Sequence, residues 1–265
     1  MSLPHIDPLY SLSGLFVGFL VGLTGVGGGS LMTPILVLLF NVHPATAVGT
    51  DLLYAALTKA TGTFVHGLKG TVEWRITGRL AAGSVPAAAI TLWFLHAHGM
   101  HSQETSRMIQ FVLSAALLLT SLSLLLRPQL AAFAAKRTRA LPPNPTRTLA
   151  ATVLTGAVLG VLVSLTSVGA GAIGVTVLLL LLYPALSTTR IVGSDIAHAV
   201  PLTLVAGVGH WMLGSVDWAM LVSLLIGSVP GIVVGSHLSA RAPEGLLRRV
   251  LAATLVAVGA KLVLS

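Results

Sequence analysis

The chain has 265 residues, 55% of them apolar and only 8% charged, with a mean hydropathy of +0.94. Soluble chains carry about a quarter charged residues, so this composition excludes a cytosolic enzyme and a disordered chain and leaves an integral membrane protein. The formal net charge of +8 reads as Lys and Arg gathered in cytoplasmic loops rather than as a nucleic-acid footprint, and the absence of Cys excludes disulfides and thiolate metal sites.

About 20 apolar residues cross a bilayer as a helix. Apolar runs fall at about 10–26, 30–42, 45–66, 76–96, 106–126, 148–167, 171–184, 190–212, 217–239 and 246–264. Met1–Pro8 has neither Lys nor Arg nor a small-residue cleavage site, so the first run is expected to stay in the protein rather than act as a signal peptide. The second and seventh runs are short. Each follows a glycine-rich break, Gly25-Val26-Gly27-Gly28-Gly29 and Gly169-Ala170-Gly171. Between the fifth and sixth runs lies a polar stretch with Arg127, Lys136, Arg137, Arg139 and Arg147 and the turn Pro142-Pro143-Asn144-Pro145. It reads as a linker, dividing the chain into residues 1–127, a basic cytoplasmic linker 128–147, and residues 148–265. The fold class is all-α, polytopic and transmembrane.

The two halves repeat each other. Leu23-Thr24-Gly25-Val26-Gly27-Gly28-Gly29 aligns with Leu165-Thr166-Ser167-Val168-Gly169-Ala170-Gly171 at an offset of 142 residues. At an offset of 144, Val48-Gly49-Thr50-Asp51 aligns with Val192-Gly193-Ser194-Asp195, and His66 with His210. The same offset aligns Gly70-Thr71-Val72-Glu73-Trp74 with Gly214-Ser215-Val216-Asp217-Trp218, and Gly83-Ser84-Val85-Pro86 with Gly227-Ser228-Val229-Pro230. Each half holds an odd number of crossings, whether or not its first two runs re-enter, so the second half is expected to be inverted. With the linker inside the cell, all but Lys59, Arg107 and Lys261 of the 15 Lys and Arg fall on that side, and both termini lie outside.

Broken helices in corresponding positions of inverted halves point to a binding site on the pseudo-two-fold. Each break is followed by a helix start, whose unpaired amides attract an anion. The expected anion site is therefore Thr24, Gly25, Gly27, Gly28, Gly29 and Ser30 in one half and Thr166, Ser167, Gly169 and Gly171 in the other, with positive charge from Lys59 or Arg190. The competing reading is that the glycines serve tight helix packing. Asp51 and Asp195 occupy matching places in long apolar runs, and such residues face a cavity or a partner. Proton coupling and bracing of the helix breaks both fit them, with His198 one turn beyond Asp195; Tyr54 stands in the corresponding place in the first half. Lys59 shares a helix face with Asp51, which suits pairing, an anion path or snorkelling. His66 and His210 read as segment-end residues on opposite sides of the membrane, and Trp74, Trp93, Trp211 and Trp218 as interface anchors. His96, His98 and His101 do not complete a metal site, and no metal or cofactor is expected. No Gly-x-Ser-x-Gly elbow, His-Glu-x-x-His or phosphate loop is present, so transport would run on a gradient or a partner subunit. A hydrolase built from Ser194 or Ser30 with His198 lacks an oxyanion hole. A passive anion channel would use the same breaks.

The block from Gly22 to Gly29, then Pro34, then Val48-Gly49-Thr50-Asp51, with its echo Ser167-Val168-Gly169-Ala170-Gly171 and Val192-Gly193-Ser194-Asp195, resembles the TauE/SafE family of sulfite and organosulfonate permeases. The resemblance spans about 10–264. It implies a secondary transporter in the bacterial inner membrane for sulfite, sulfoacetate or another sulfonate, more often an exporter, with uptake as the alternative. The second glycine cluster is reduced to Gly169 and Gly171. Apolar surfaces facing lipid and facing another subunit read alike, so the sequence leaves oligomeric state open.

Overall fold

The computed structural model describes residues 6–24, 29–100, 102–140, 145–169, 171–239 and 244–264. These form ten α-helices: α1 (Pro8–Thr24), α2 (Gly29–Leu38), α3 (Pro44–Leu68), α4 (Trp74–His98), α5 (Gln103–Ala140), α6 (Pro145–Thr166), α7 (Ala172–Val177), α8 (Thr188–Met212), α9 (Trp218–Ser239) and α10 (Glu244–Leu264). A π-helical turn, Leu178–Leu182, continues α7. Local chemistry sets several starts. Proline opens α1, α3 and α6, where a missing amide hydrogen costs nothing. The Asp7 carboxylate accepts from the Leu9 amide at 2.8 Å, and that of Asp217 from Met220 at 2.9 Å. After α3 and α8 the chain turns through Gly70 (φ 61°) and Gly214 (φ 74°), a left-handed conformation that glycine adopts without strain.

Five helices are long and apolar enough to cross a membrane: Trp74–His98, Gln103–Leu126, Pro145–Thr166, Thr188–Met212 and Trp218–Gly235, with shorter apolar helices over Pro8–Leu23 and Leu251–Leu262. The protein is thus a multi-pass, all-α membrane protein. At 25 residues α3 has the reach of a span, about 37 Å; Asp51, Lys59 and its threonines dilute its hydropathy. By contrast α2 (10 residues) and α7 (6 residues) are too short to cross. The stretch expected to be a linker is helical as far as Ala140: α5 runs on for 38 residues, well past the apolar run.

α1 packs along α9, α6 along α4, α3 along α8 and α5 along α10. Glycine makes the first two approaches close. A Cβ on Gly83, Gly156 or Gly160 would collide with the carbonyl oxygen of Val153, Leu80 or Ser84, all in the α4–α6 seam. In the α1–α9 seam Gly227, Gly14 and Gly18 stand in the same way against Ser11, Leu224 and Ser228. Each member of one set is related to its counterpart by the 142 or 144 offset. The α3–α8 region repeats the pattern. Gly49 lies against the Ser215 carbonyl and Gly193 against that of Thr71. Thr50 Oγ1 accepts from the Asp217 amide at 3.0 Å, as Ser194 Oγ accepts from the Glu73 amide at 2.8 Å. Backbones that touch through glycine gain dispersion and weak hydrogen bonds, which drive helix association where the hydrophobic effect is absent. Large apolar side chains such as Phe16, Ile90, Trp93, Phe111 and Leu154 point outward, as a lipid-facing surface requires.

Gly83→Val should force α4 off α6 at an overpacking cost of about 1–3 kcal/mol, lowering the melting temperature in detergent by several degrees. Gly78→Ala, on the same helix with nothing near its Cβ position, should melt like the parent. Equal melting of the two variants would contradict the seam.

Candidate functional site

The described break is the one after α6. Thr166 ends the helix, Ser167 takes a left-handed conformation (φ 58°), and Gly169 (φ 121°) and Gly171 (φ 128°) reverse the chain into α7. Such a turn frees backbone groups that need partners. The Thr166 hydroxyl donates to the Leu162 carbonyl at 2.6 Å and accepts from the Val168 amide at 3.0 Å. His210 Nε2 donates to the Ser164 carbonyl at 2.9 Å. His210 lies in the last turn of α8, where it is wholly buried and braces the end of α6. Ser167 differs from Thr166. Its buried Oγ lies beside the Asp51 carboxylate instead of capping the backbone.

Asp51, on α3, is fully buried. Its Oδ2 accepts from Thr33 Oγ1 of α2 at 2.6 Å, and Ser167 stands beside the same carboxylate. Asp195, on α8, is the matching carboxylate. Its unpartnered Oδ1 lies where a side chain on Gly174 of α7 would have to go. Each carboxylate thus touches the short helix of its own half. Lys59 lies two turns beyond Asp51 on α3, within the electrostatic reach of Asp51, Asp195 and His198. Two carboxylates and one ammonium thus lie on the paired helices α3 and α8 within electrostatic reach of one another, next to a glycine break. Such a group can bind an anion at the ammonium, exchange protons at the carboxylates, or do both.

His198 shares a hydrogen bond with Ser84 Oγ of α4 at 2.8 Å through Nε2, and its Nδ1 has no partner. Arg190 is not in the interior. It sits in the first turn of α8, half exposed, and forms an ion pair with Glu73 at the start of α4. Nearby, Arg79 donates to the Tyr183 hydroxyl at 3.3 Å, and Tyr183 meets Thr152 at 2.9 Å. Of the first break, Thr24 closes α1 and Gly29 opens α2, Ser30 is buried, and Gly25, Gly27 and Gly28 lie outside the described residues. His66 is half-buried with Nδ1 2.8 Å from Thr71 Oγ1. Trp211 and Trp218 meet edge to face at 5.7 Å. Among the described residues no three His, Asp or Glu converge as for a metal ion. Sequence reasoning missed Thr33 and Ser84 as partners. Ser84 did carry a signal, since it belongs to a block repeated around Ser228.

The family pattern described as "Sulfite exporter TauE/SafE" matches residues 10–262. The chain is 38% identical over 95% of its length to a probable membrane transporter protein, YjnA, of Bacillus subtilis (strain 168), covering 98% of that protein. It is 27% identical to another, YdhB, from the same organism, over 88% of this chain and 90% of that one. A probable membrane transporter protein of Xylella fastidiosa (strain 9a5c) is 26% identical, over 93% and 90%. No solved structure matches the chain.

The two hydroxyls at the break should separate on substitution. Thr166→Val strands the Val168 amide and should cost about 1–3 kcal/mol, read as a lower melting temperature. Ser167→Gly relieves a left-handed conformation worth about 1 kcal/mol and should melt no lower than the parent. Thr166→Val melting like the parent would contradict the bracing role.

Proposed function

The chain belongs to the sulfite exporter TauE/SafE family of membrane transporters, and on that premise we propose that it is a proton-coupled secondary transporter of small sulfur oxyanions, sulfite or an organosulfonate. The observation that carries this reading is the pair of buried carboxylates Asp51 and Asp195, with the half-buried Lys59 within their electrostatic reach, beside the Ser167–Gly171 break. With all three ionised the group holds a net negative charge, and an anion brought to about 5 Å would meet repulsion of roughly 3 kcal/mol at an effective dielectric constant near 20. Protonating both carboxylates turns the net charge of the group positive, and the anion is then attracted. Anion binding and proton uptake are linked in this way, and linkage is reciprocal. The anion would be held by Lys59 and by Ser167 and the glycine breaks of both halves. Arg190, paired with Glu73, would draw anions to the mouth rather than bind at the midplane.

In this reading the halves are inverted repeats that rock about the α3–α8 axis to give alternating access. The paired glycine seams support it, because each half grips the other through equivalent contacts. The linker side is cytoplasmic, both termini are outside, and the membrane is the bacterial inner membrane. Export is preferred on the family description.

Reconstituted in proteoliposomes, the protein should take up labelled sulfite saturably. Sulfoacetate or an aryl sulfonate should compete better than chloride, and a pH gradient should raise the rate. Lys59→Met should abolish saturable uptake. Asp195→Asn should keep sulfite counterflow while losing the response to the pH gradient. Uptake of chloride in place of sulfite, or a pH response unchanged in Asp195→Asn, would contradict the proposal.

A further inference from the structure

Asp51 and Asp195 occupy matched places in the two halves, yet their surroundings differ. Two hydroxyls stand at Asp51. Thr33 Oγ1 of α2 donates to its Oδ2 at 2.6 Å, and Ser167 Oγ, from the break in the other half, stands beside the same carboxylate as a second donor. At Asp195 both are gone. The counterpart of Thr33 at the 142 offset is Val175 of α7, and the counterpart of Ser167 is Gly25. Among the described residues no hydroxyl or amide donates to Asp195. Its Oδ1 is buried beside Gly174, whose missing side chain leaves it room, and the charge that reaches it is that of Lys59. Ser167 carries a second sign of purpose. It holds a left-handed conformation (φ 58°), which is strained for serine and free for glycine, the residue type at the matching place in the other half. A strained residue persists where its side chain is needed, and this hydroxyl meets Asp51.

We propose that the two acids divide the work: Asp51 is a positioning residue that ties α2 and the second-half break to α3, and Asp195 is the acid that takes up and releases the coupled proton. This rests on the proton-coupled reading above and narrows it. Protonating Asp195 alone takes the group of two carboxylates and one ammonium from net negative to neutral, which already lifts the repulsion on an incoming anion. A proton arriving at Asp195 displaces no hydrogen bond. One arriving at Asp51 must displace a hydroxyl or find an acceptor of its own, and the break would shift with it. Around Asp195 the other titratable groups are Lys59 and, beside Gly193, His66 on α3, His198 on α8 itself, and on α4 Glu73, which is bonded to Ser194 and paired with Arg190. α6 brings only Arg147, in its first turn, and α7 none. None of these gives Asp195 a hydrogen bond in place of the missing hydroxyls. Around Asp51 they are Lys59 and Tyr54 on α3, His210 on α8 and Asp217 at the start of α9, with Glu104 and Arg107 near the start of α5 and none on α2.

Infrared difference spectra of the protein in lipid vesicles, taken on mild acidification and without substrate, read the carbonyl stretch of a newly protonated carboxyl. The chain has only 7 Asp and Glu, and exposed ones, with pKa values of about 4, remain ionised in such a buffer. The parent should show a protonated-carboxyl band that is lost in Asp195→Asn and kept in Asp51→Asn. An Asn side chain there can still accept from one hydroxyl and donate to the other, so the break keeps its place. Ser167→Gly, expected above to melt no lower than the parent, should gain a second band, and adding Asp51→Asn should remove it. A parent without the band, a band lost in Asp51→Asn and kept in Asp195→Asn, or a spectrum of Ser167→Gly identical to the parent's would overturn the division. The expected bands in a protein that takes up no sulfite would uphold the division and remove the cargo alone.

Discussion

A charge cannot be left facing lipid, and this chain buries two of them, Asp51 and Asp195, with Lys59 half-buried within their electrostatic reach. Much of the architecture follows from that constraint. The helices that carry them, α3 and α8, must face each other, and the remaining long helices must wrap around the pair. The wrap works only if α1 meets α9 and α6 meets α4 at backbone distance, which is why glycine recurs along those two seams. The short helices α2 and α7 supply what the carboxylates need: a Thr33 hydroxyl for Asp51 and, at Gly174, an absent side chain that gives Asp195 room. The glycines of the break are explained by the turn they allow, and Gly174 just beyond it by the buried acid it accommodates.

Much of this is legible in the sequence because it depends on local pattern. Apolar runs of spanning length, glycine clusters and an acid inside an apolar run are visible without knowing the fold. So are the repeated blocks, and the offsets that align them also relate contacts such as Thr50–Asp217 and Ser194–Glu73. What stays hidden depends on which helices meet. The pairing of Arg190 with Glu73 moves that arginine from a supposed binding role to the surface, and nothing near either residue announces it. The bond from His210 to the Ser164 carbonyl exists because α6 ends early and leaves a carbonyl free inside the protein. The length of α5 was obscured by charge. The stretch up to Ala140 is rich in Leu, Ala, Lys and Arg, strong helix formers, and helix needs no apolar surround once the chain has left the bilayer.

The near-symmetry of the halves matters most where it breaks. Two equivalent grips, α4 on α8 and α9 on α3, differ in tightness. Divergence at matched positions, His198 against Tyr54, gives the two grips different chemistry within the same backbone setting. A carrier built from identical halves would have states of equal energy. On the proposed alternating access, such differences would set which state rests.

The claim on which the proposed activity stands is that Asp51, Lys59 and Asp195, and not merely the fold around them, receive the anion. Replacing all three by neutral isosteres, Asp51→Asn with Lys59→Gln and Asp195→Asn, removes the charge without stranding an unpaired ion, a change that protein interiors commonly tolerate. The decisive measurement is saturable sulfite uptake by this triple variant beside the parent, each first shown to be monodisperse with a similar melting temperature. Loss of uptake in a folded variant is the expected result. Uptake at the parent rate would mean that the charges only hold α3 and α8 together and that the anion binds elsewhere.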